Sequence, residues 1–169
     1  MAWKESCLWF MRCNAKNLSN AMDKQDILAA CNREIESRIQ NTQTAIESAR
    51  ESANSEQKST AGDKHDTARA MAQFEQEKLS SQLSEQLKLR ETLSRINANA
   101  AASEVRIGSL VKCSNGLFFI GIGIGKLEVG GLTVFCVSLA SPLGKALMGK
   151  RVREDFEVNG RTFKVLELK

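Results

Sequence analysis

The sequence predicts an α+β protein: an N-terminal antiparallel α-helical hairpin followed by a small antiparallel β-sheet domain with one short helix. Three observations predict it. Between residues 1 and 107 the only glycine is Gly62 and there is no proline, while the other ten glycines and Pro142 lie beyond residue 107. Before about Ala102 the chain is rich in Ala, Glu, Gln, Lys, Arg, Leu and Ser; after it Val, Phe, Ile and Gly take over. Charge divides at the same place. Residues 20–100 hold 11 basic and 13 acidic side chains, and residues 101–169 hold 10 basic and 6 acidic.

Three segments follow from these shifts. Residues 1–19 read as a flexible extension. Its apolar core, Cys7 to Met11, is shorter than the roughly 7–15 residues of a signal h-region, and docking of Trp3, Trp9 and Phe10 on a partner is the alternative reading. Residues 20–102 read as the hairpin, with its tip near 59–66. Leu28, Cys31, Ile35, Ile39, Thr42, Ile46, Ala49 and Ala53 recur at helical steps. Met71, Phe74, Leu79, Leu83, Leu87, Leu93, Ile96 and Ala100 do the same. Asn20, with Asp23 three residues on, reads as the first helix cap. Two long amphipathic helices joined by Ser59-Thr60-Ala61-Gly62-Asp63 bury their stripes by pairing antiparallel. Ala45, Ser48, Ala49, Ser52 and Ala53 make the tip end slim.

Residues 103–169 read as strands and hairpins. Val105 to Cys113, Leu117 to Ile124, Leu132 to Leu139, Val152 to Val158 and Arg161 to Leu168 are the expected strands. Ser114-Asn115-Gly116 and Asn159-Gly160 mark tight turns. Ser141-Pro142 reads as an N-cap followed by proline at the first position of a short helix.

Composition narrows the chemistry. The net charge is +4, aromatic residues make up 5% and tyrosine is absent, which disfavours a stacking platform for single-stranded bases. Five widely spaced cysteines without C-x-x-C disfavour a disulfide framework or a structural zinc site and fit a reducing, cytoplasmic setting. Gly121-Ile122-Gly123-Ile124-Gly125-Lys126 fails the phosphate-loop pattern, because Ile120 and Leu127 stand where that loop needs glycine and Ser/Thr. His65 is the only histidine and reads as an exposed tip residue, with no local nucleophile constellation around it. Lys145, Lys150, Arg151, Arg153, Arg161 and Lys164 read as a solvated basic face. Asp63 and Asp66, three residues apart beside Gly62, admit two readings. They can hold a hard cation such as Mg²⁺ together with another macromolecule, or they can simply cap a helix start.

Ser141-Pro142-Leu143-Gly144-Lys145-Ala146-Leu147-Met148-Gly149-Lys150, followed by a closing hairpin, resembles the signature of the GreA/GreB transcript-cleavage factor family. Gly62-Asp63-Lys64-His65-Asp66-Thr67-Ala68 resembles that family's Gly-Asp-x-x-Glu-Asn-Ala tip. The resemblance spans about residues 22–169. It implies an FKBP-like second domain and a cytoplasmic accessory factor that binds core RNA polymerase without being an enzyme itself. It implies docking at the rim of the secondary channel through Ser141, Pro142 and Leu143. The tip residues Gly62, Asp63, His65 and Asp66 would enter the channel, with indirect contact to nascent RNA or DNA. Asp63 and Asp66 would share the Mg²⁺ of the polymerase active site, no cofactor being bound by the chain alone. Asp66 stands where Glu is usual, Thr67 where Asn is usual, Ala70 where an aromatic is usual, and Ala140 where an acid is frequent. The alternatives are a non-cleaving channel regulator, Rnk-like or anti-Gre, an FKBP-like peptidyl-prolyl isomerase, and a coiled-coil adaptor. Residues 101–169 offer five phenylalanines but no Tyr or Trp for an isomerase cage.

Overall fold

The computed structural model describes residues 23–56, 64–97 and 103–169, with side chains over 23–52, 70–97 and 103–169. The extension 1–19, Asn20, Gly62 and Asp63 lie outside the described residues. The chain forms two compact units: one is Asn32–Ser94, and the other joins the chain up to Cys31 with Arg95–Lys169.

The first unit is helical. Helix α1 is Lys24–Glu56 and helix α2 is Lys64–Ser94, the second about 47 Å long at 1.5 Å per residue. Asp23 directly precedes α1 and its Oδ1 accepts from Gln25 N at 3.4 Å, so a short acidic side chain serves the helix start. Within the unit, Gln86 Nε2 donates to Thr42 Oγ1 at 3.0 Å, and Arg90 lies 3.6 Å from Glu36. Partners that descend along α1 as they ascend along α2 fix an antiparallel pair. The exposed Arg90–Glu36 contact adds little energy.

Ile35, Ile39, Thr42 and Ile46 are buried along α1, as their spacing predicts. The inner line of α2 agrees with the expected one at Leu79, Leu83 and Leu93, as does the half-buried Ile96 beyond its end, and departs from it at Met71, Phe74 and Leu87. Gln86 and Leu93 are buried, and Ala72, Gln76, Leu79, Leu83 and Leu89 are half-buried. Met71 and Phe74 are each 65% exposed, and Leu87 also faces solvent. Apolar residues occupy two lines on α2, and the register of the partner helix selects between them.

The buried Thr42–Gln86 pair is a polar contact in an apolar seam, and Gln86 Oε1 has no hydrogen-bond partner. Such a pair fixes register at a cost in stability. Thr42→Val alone is expected to destabilise by about 1–2 kcal/mol, because it leaves the whole Gln86 amide orphaned. Thr42→Val combined with Gln86→Leu is expected to be more stable than the parent by about 1 kcal/mol. Urea unfolding of the two variants checks this reversal of sign.

The second unit is a six-stranded sheet, with strands β1 Leu110–Cys113, β2 Gly116–Gly121, β3 Gly125–Val129, β4 Leu132–Ser138, β5 Asp155–Val158 and β6 Arg161–Leu168, and helix α3 Pro142–Leu147 between β4 and β5. The spatial order is β3-β4-β2-β1-β6-β5. Every pairing is antiparallel except β2 with β4, which run parallel with Phe118 opposite Phe135 and Ile120 opposite Val137. This departs from the all-antiparallel expectation. The chain leaves β2, crosses to the edge as β3, and returns through a hairpin as β4 between them.

Several expected strands are shorter than the alternation suggested. Residues 105–109 form a turn closed by Ser109 N donating to Arg106 O at 3.0 Å, so β1 begins only at Leu110. The strand β2 ends at Gly121, and β5 begins at Asp155 rather than Val152. The expected turns are in place. Cys113 pairs with Gly116 across Ser114-Asn115. Asn159 and Gly160 both take positive φ, 52° and 73°, the left-handed pair that a two-residue hairpin requires and that Asn-Gly adopts at least cost.

Strand alternation gives the sheet two buried faces. On one, Val111, Cys113, Phe118, Ile120, Phe156 and Val165 form a core with Leu147 of α3, and Phe135, Val137 and Leu143 pack against it. On the other, Leu110 is opposite Phe119 and Phe119 is opposite Cys136, all buried with Val134. The first two turns of α1 belong to this unit, and they bring the buried Ile27 and Cys31 with them. Cys31 reaches Cys136 on that second face. No helix among the described residues is long and apolar enough to cross a membrane.

Candidate functional site

The best-defined candidate site is the cap that joins β4 to α3. The Ser141 backbone is extended, with φ −71° and ψ 152°, so its hydroxyl can turn back onto the helix start. Ser141 Oγ accepts from Gly144 N at 3.0 Å and donates to Ser138 O at 2.7 Å. Ser141 N also donates to Ser138 O at 3.1 Å, and Lys145 N donates to Ser141 O at 3.0 Å. One serine thus uses its hydroxyl as donor and acceptor and its amide as donor, and ties the end of the strand to the start of the helix. Pro142 occupies the first helical position, where no amide hydrogen is needed.

Gly144 is required by contact. A Cβ there would meet the Ser138 carbonyl oxygen and lie 3.0 Å from Leu139 Cα. The helix therefore sits directly on the strand's last carbonyl. Pro142 projects into solvent and Leu143 is half-buried. The loop presents one rigid ring outward and anchors the next side chain inward.

Leu143 lines a cavity of about 440 Å³ with Asn115, Val158, Asn159, Arg161 and Phe163. Asn115 Oδ1 is buried without a hydrogen-bond partner. The lining comes from the two turns at Asn115 and Asn159, from β5 and β6 at Val158, Arg161 and Phe163, and from α3 at Leu143. In the sequence Asn115 and Asn159 carry only a turn signal, so their place in a cavity is a consequence of the sheet order β1-β6-β5.

Around this site the basic side chains are arranged as a solvated face. Lys145, Arg151, Arg153, Arg161 and Lys164 are exposed and Lys150 is half-buried. Arg151 lies 3.9 Å from Glu104 and Lys164 lies 3.5 Å from Asp155. At the start of α1, burial together with Arg106 and Lys169 holds the Lys24 ammonium below its usual range, while Asp23 opposes the shift.

The expected site residues fall into the two units. Ser141, Pro142 and Leu143 are brought together at the cap. His65 and Asp66 are the second and third residues of α2, where an acid favours the helix dipole; Gly62 and Asp63 lie outside the described residues. Among the described residues no group of three His, Cys, Asp or Glu side chains could hold a metal ion.

No family model matches the chain, and no curated protein matches it. Among solved structures the chain is similar to one described as the structure of the transcription factor Gfh1, with 18% identity, 82% of this chain and 93% of that chain covered, and a TM-score of 0.34.

Proposed function

We propose that the chain is an RNA polymerase-binding transcription elongation factor of the GreA/GreB type, an accessory protein and not an enzyme, acting in the cytoplasm. The observation that supports this most is the Ser141-Pro142-Leu143-Gly144 cap. Its sequence resembles the docking motif of that family, and its geometry offers Pro142 to a partner on a rigid support. The cap docks on the rim of the secondary channel, and the helical hairpin carries the acidic residues. Its antiparallel register puts the end of α1 and the start of α2, with Asp66, at the same end of the pair.

In this reading Asp63 and Asp66 contribute hard carboxylate oxygens, a donor type suited to Mg²⁺. Two carboxylates alone leave the rest of the coordination to the polymerase and water, so the metal is the polymerase's own. When bound, that ion would supply activation of water for hydrolysis of backtracked RNA. The chain's own part is to deliver and orient the acids.

A second reading, a non-cleaving channel regulator, is favoured by Asp66 and Thr67. The first is one methylene shorter than the family's usual Glu, and the second lacks the usual Asn amide.

Co-purification with core RNA polymerase, followed by transcript cleavage on stalled complexes, tests both readings. Asp63→Ala combined with Asp66→Ala is expected to reduce stimulated cleavage by roughly 100-fold with co-purification unchanged. Cleavage at parental level in this double variant rejects the stimulation reading. Co-purification without any cleavage by the parent selects the second reading, and no co-purification rejects both.

A further inference from the structure

The fold joins two thiols that the sequence keeps far apart. Cys31, in the second turn of α1, and Cys136, in β4, are 105 positions apart, yet their Sγ atoms are 3.6 Å from each other. They are 0% and 4% exposed and lie in the same compact unit. Each sulfur is the other's hydrogen-bond partner. Phe119 stands opposite Cys136 in the ladder, and Phe119, Val134 and Leu110 are buried on the same face of the sheet. A disulfide needs the sulfurs at about 2.05 Å, so closing the pair takes an approach of about 1.5 Å.

We propose that Cys31 and Cys136 are a reversible redox pair, which a small hydroperoxide converts to an intramolecular disulfide linking the first turns of α1 to β4. The Cys31 thiolate attacks one peroxide oxygen. The O–O bond breaks, leaving Cys31 as a sulfenic acid and releasing water or an alcohol. Cys136 Sγ then attacks the Cys31 sulfur. The S–S bond forms, the S–O bond breaks, and the departing hydroxide leaves as water with the Cys136 proton. Two thiols and one hydroperoxide give one disulfide, one water and one further water or alcohol. The two electrons lost by sulfur reduce the peroxide.

The distance joins the two sulfurs and leaves their roles equivalent, since either can donate to the other. The hydrogen bond from Cys136 holds the Cys31 thiol below its ordinary value, while that bond and burial push Cys136 up. Cys31, the lower of the two thiols, takes the attacking role, and exchange of the roles gives the same disulfide and the same products. Burial selects a small oxidant over a bulky disulfide. Cys113 is an internal reference. It is fully buried, and burial pushes its thiol up to about 12.

This inference does not rest on the polymerase reading, and its test measures only sulfur chemistry. The full chain is treated with hydrogen peroxide under native conditions, unfolded, blocked with a maleimide and digested. The expected product is a linked peptide pair containing Cys31 and Cys136, about 2 Da lighter than the two free thiol peptides. Cys113 should be fully blocked by maleimide, and dithiothreitol should restore both thiols. The oxidised protein should melt about 5 °C or more higher, since the link closes a long loop. Cys136→Ala should abolish the linked peptide and leave no other cysteine pair in its place. The proposal is overturned if both thiols are still blocked by maleimide after peroxide. It is also overturned if either cysteine links instead to Cys7, Cys13 or Cys113, or if the pair forms only in denaturant. The parental measurement decides even if the variant fails to fold.

Discussion

Gly144→Ala is expected to destabilise the sheet unit by about 3 kcal/mol, although alanine is the better helix former. In an exposed helix interior the same change would gain about 1 kcal/mol. Here the new methyl would be driven against the Ser138 carbonyl oxygen and the Leu139 Cα, which are backbone atoms that cannot rotate away. Relief requires α3 to lift off the end of β4. That movement strains the bonds of Ser141 to Ser138 O and of Gly144 N to Ser141 Oγ, and it pulls Leu147 out of the core. Gly149→Ala is the control. It meets nothing within 4 Å but has φ +74°, so only the backbone cost of about 1 kcal/mol applies. Chemical denaturation followed by circular dichroism distinguishes the two. A Gly144→Ala protein within 0.5 kcal/mol of the parent, a limit set by ordinary surface changes, would show that α3 does not rest on the strand. If the cap is the docking element, Gly144→Ala also weakens co-purification with polymerase, because Pro142 moves with the helix.

What could be read from the sequence follows a physical division. Features fixed by neighbours a few residues away were legible. The Ser141-Pro142 cap, the Ser114-Asn115 and Asn159-Gly160 turns and the helical period of α1 all arise from local backbone chemistry. Features fixed by distant partners were not. Strand β3 is an edge in which Lys126 and Glu128 face water while Leu127 and Val129 are half-buried, an alternation only four residues long, the shortest run that marks a strand. The parallel pairing of β2 with β4 depends on where the β3–β4 hairpin inserts, which no local signal encodes. Cys31 and Cys136 belong to different helices and strands, and their spacing says nothing of their contact. In the candidate site, the cap residues Ser141, Pro142 and Leu143 were legible for the local reason. The cavity beside them was not, because Asn115 and Asn159 meet Leu143 only once β1, β6 and β5 are adjacent.

The contrast between two phenylalanines tests that division energetically. Phe119→Ala is expected to cost about 3–5 kcal/mol, and Phe74→Ala less than about 0.5 kcal/mol. Both changes remove the same atoms, and both residues stand at positions that the sequence pattern marks as apolar. Phe119 is fully buried between Leu110 of β1 and Cys136 of β4, so its removal loses transfer free energy and leaves a cavity that close-packed neighbours only partly fill. Phe74 is 65% exposed on α2, and most of its ring is in water before and after unfolding. Denaturant titration of both variants measures the difference. A large loss for Phe74→Ala would place Met71 and Phe74 on the inner line of α2, and the Ala72, Gln76, Leu79, Leu83 seam would then be wrong. Phe119→Ala has a second consequence that a purely energetic account lacks. Its cavity adjoins Cys136, the residue opposite it in the ladder, so peroxide should reach the dithiol faster than in the parent protein. Faster cross-linking at unchanged pairing would mean that burial, and not the geometry of the two sulfurs, limits the rate at which the pair responds.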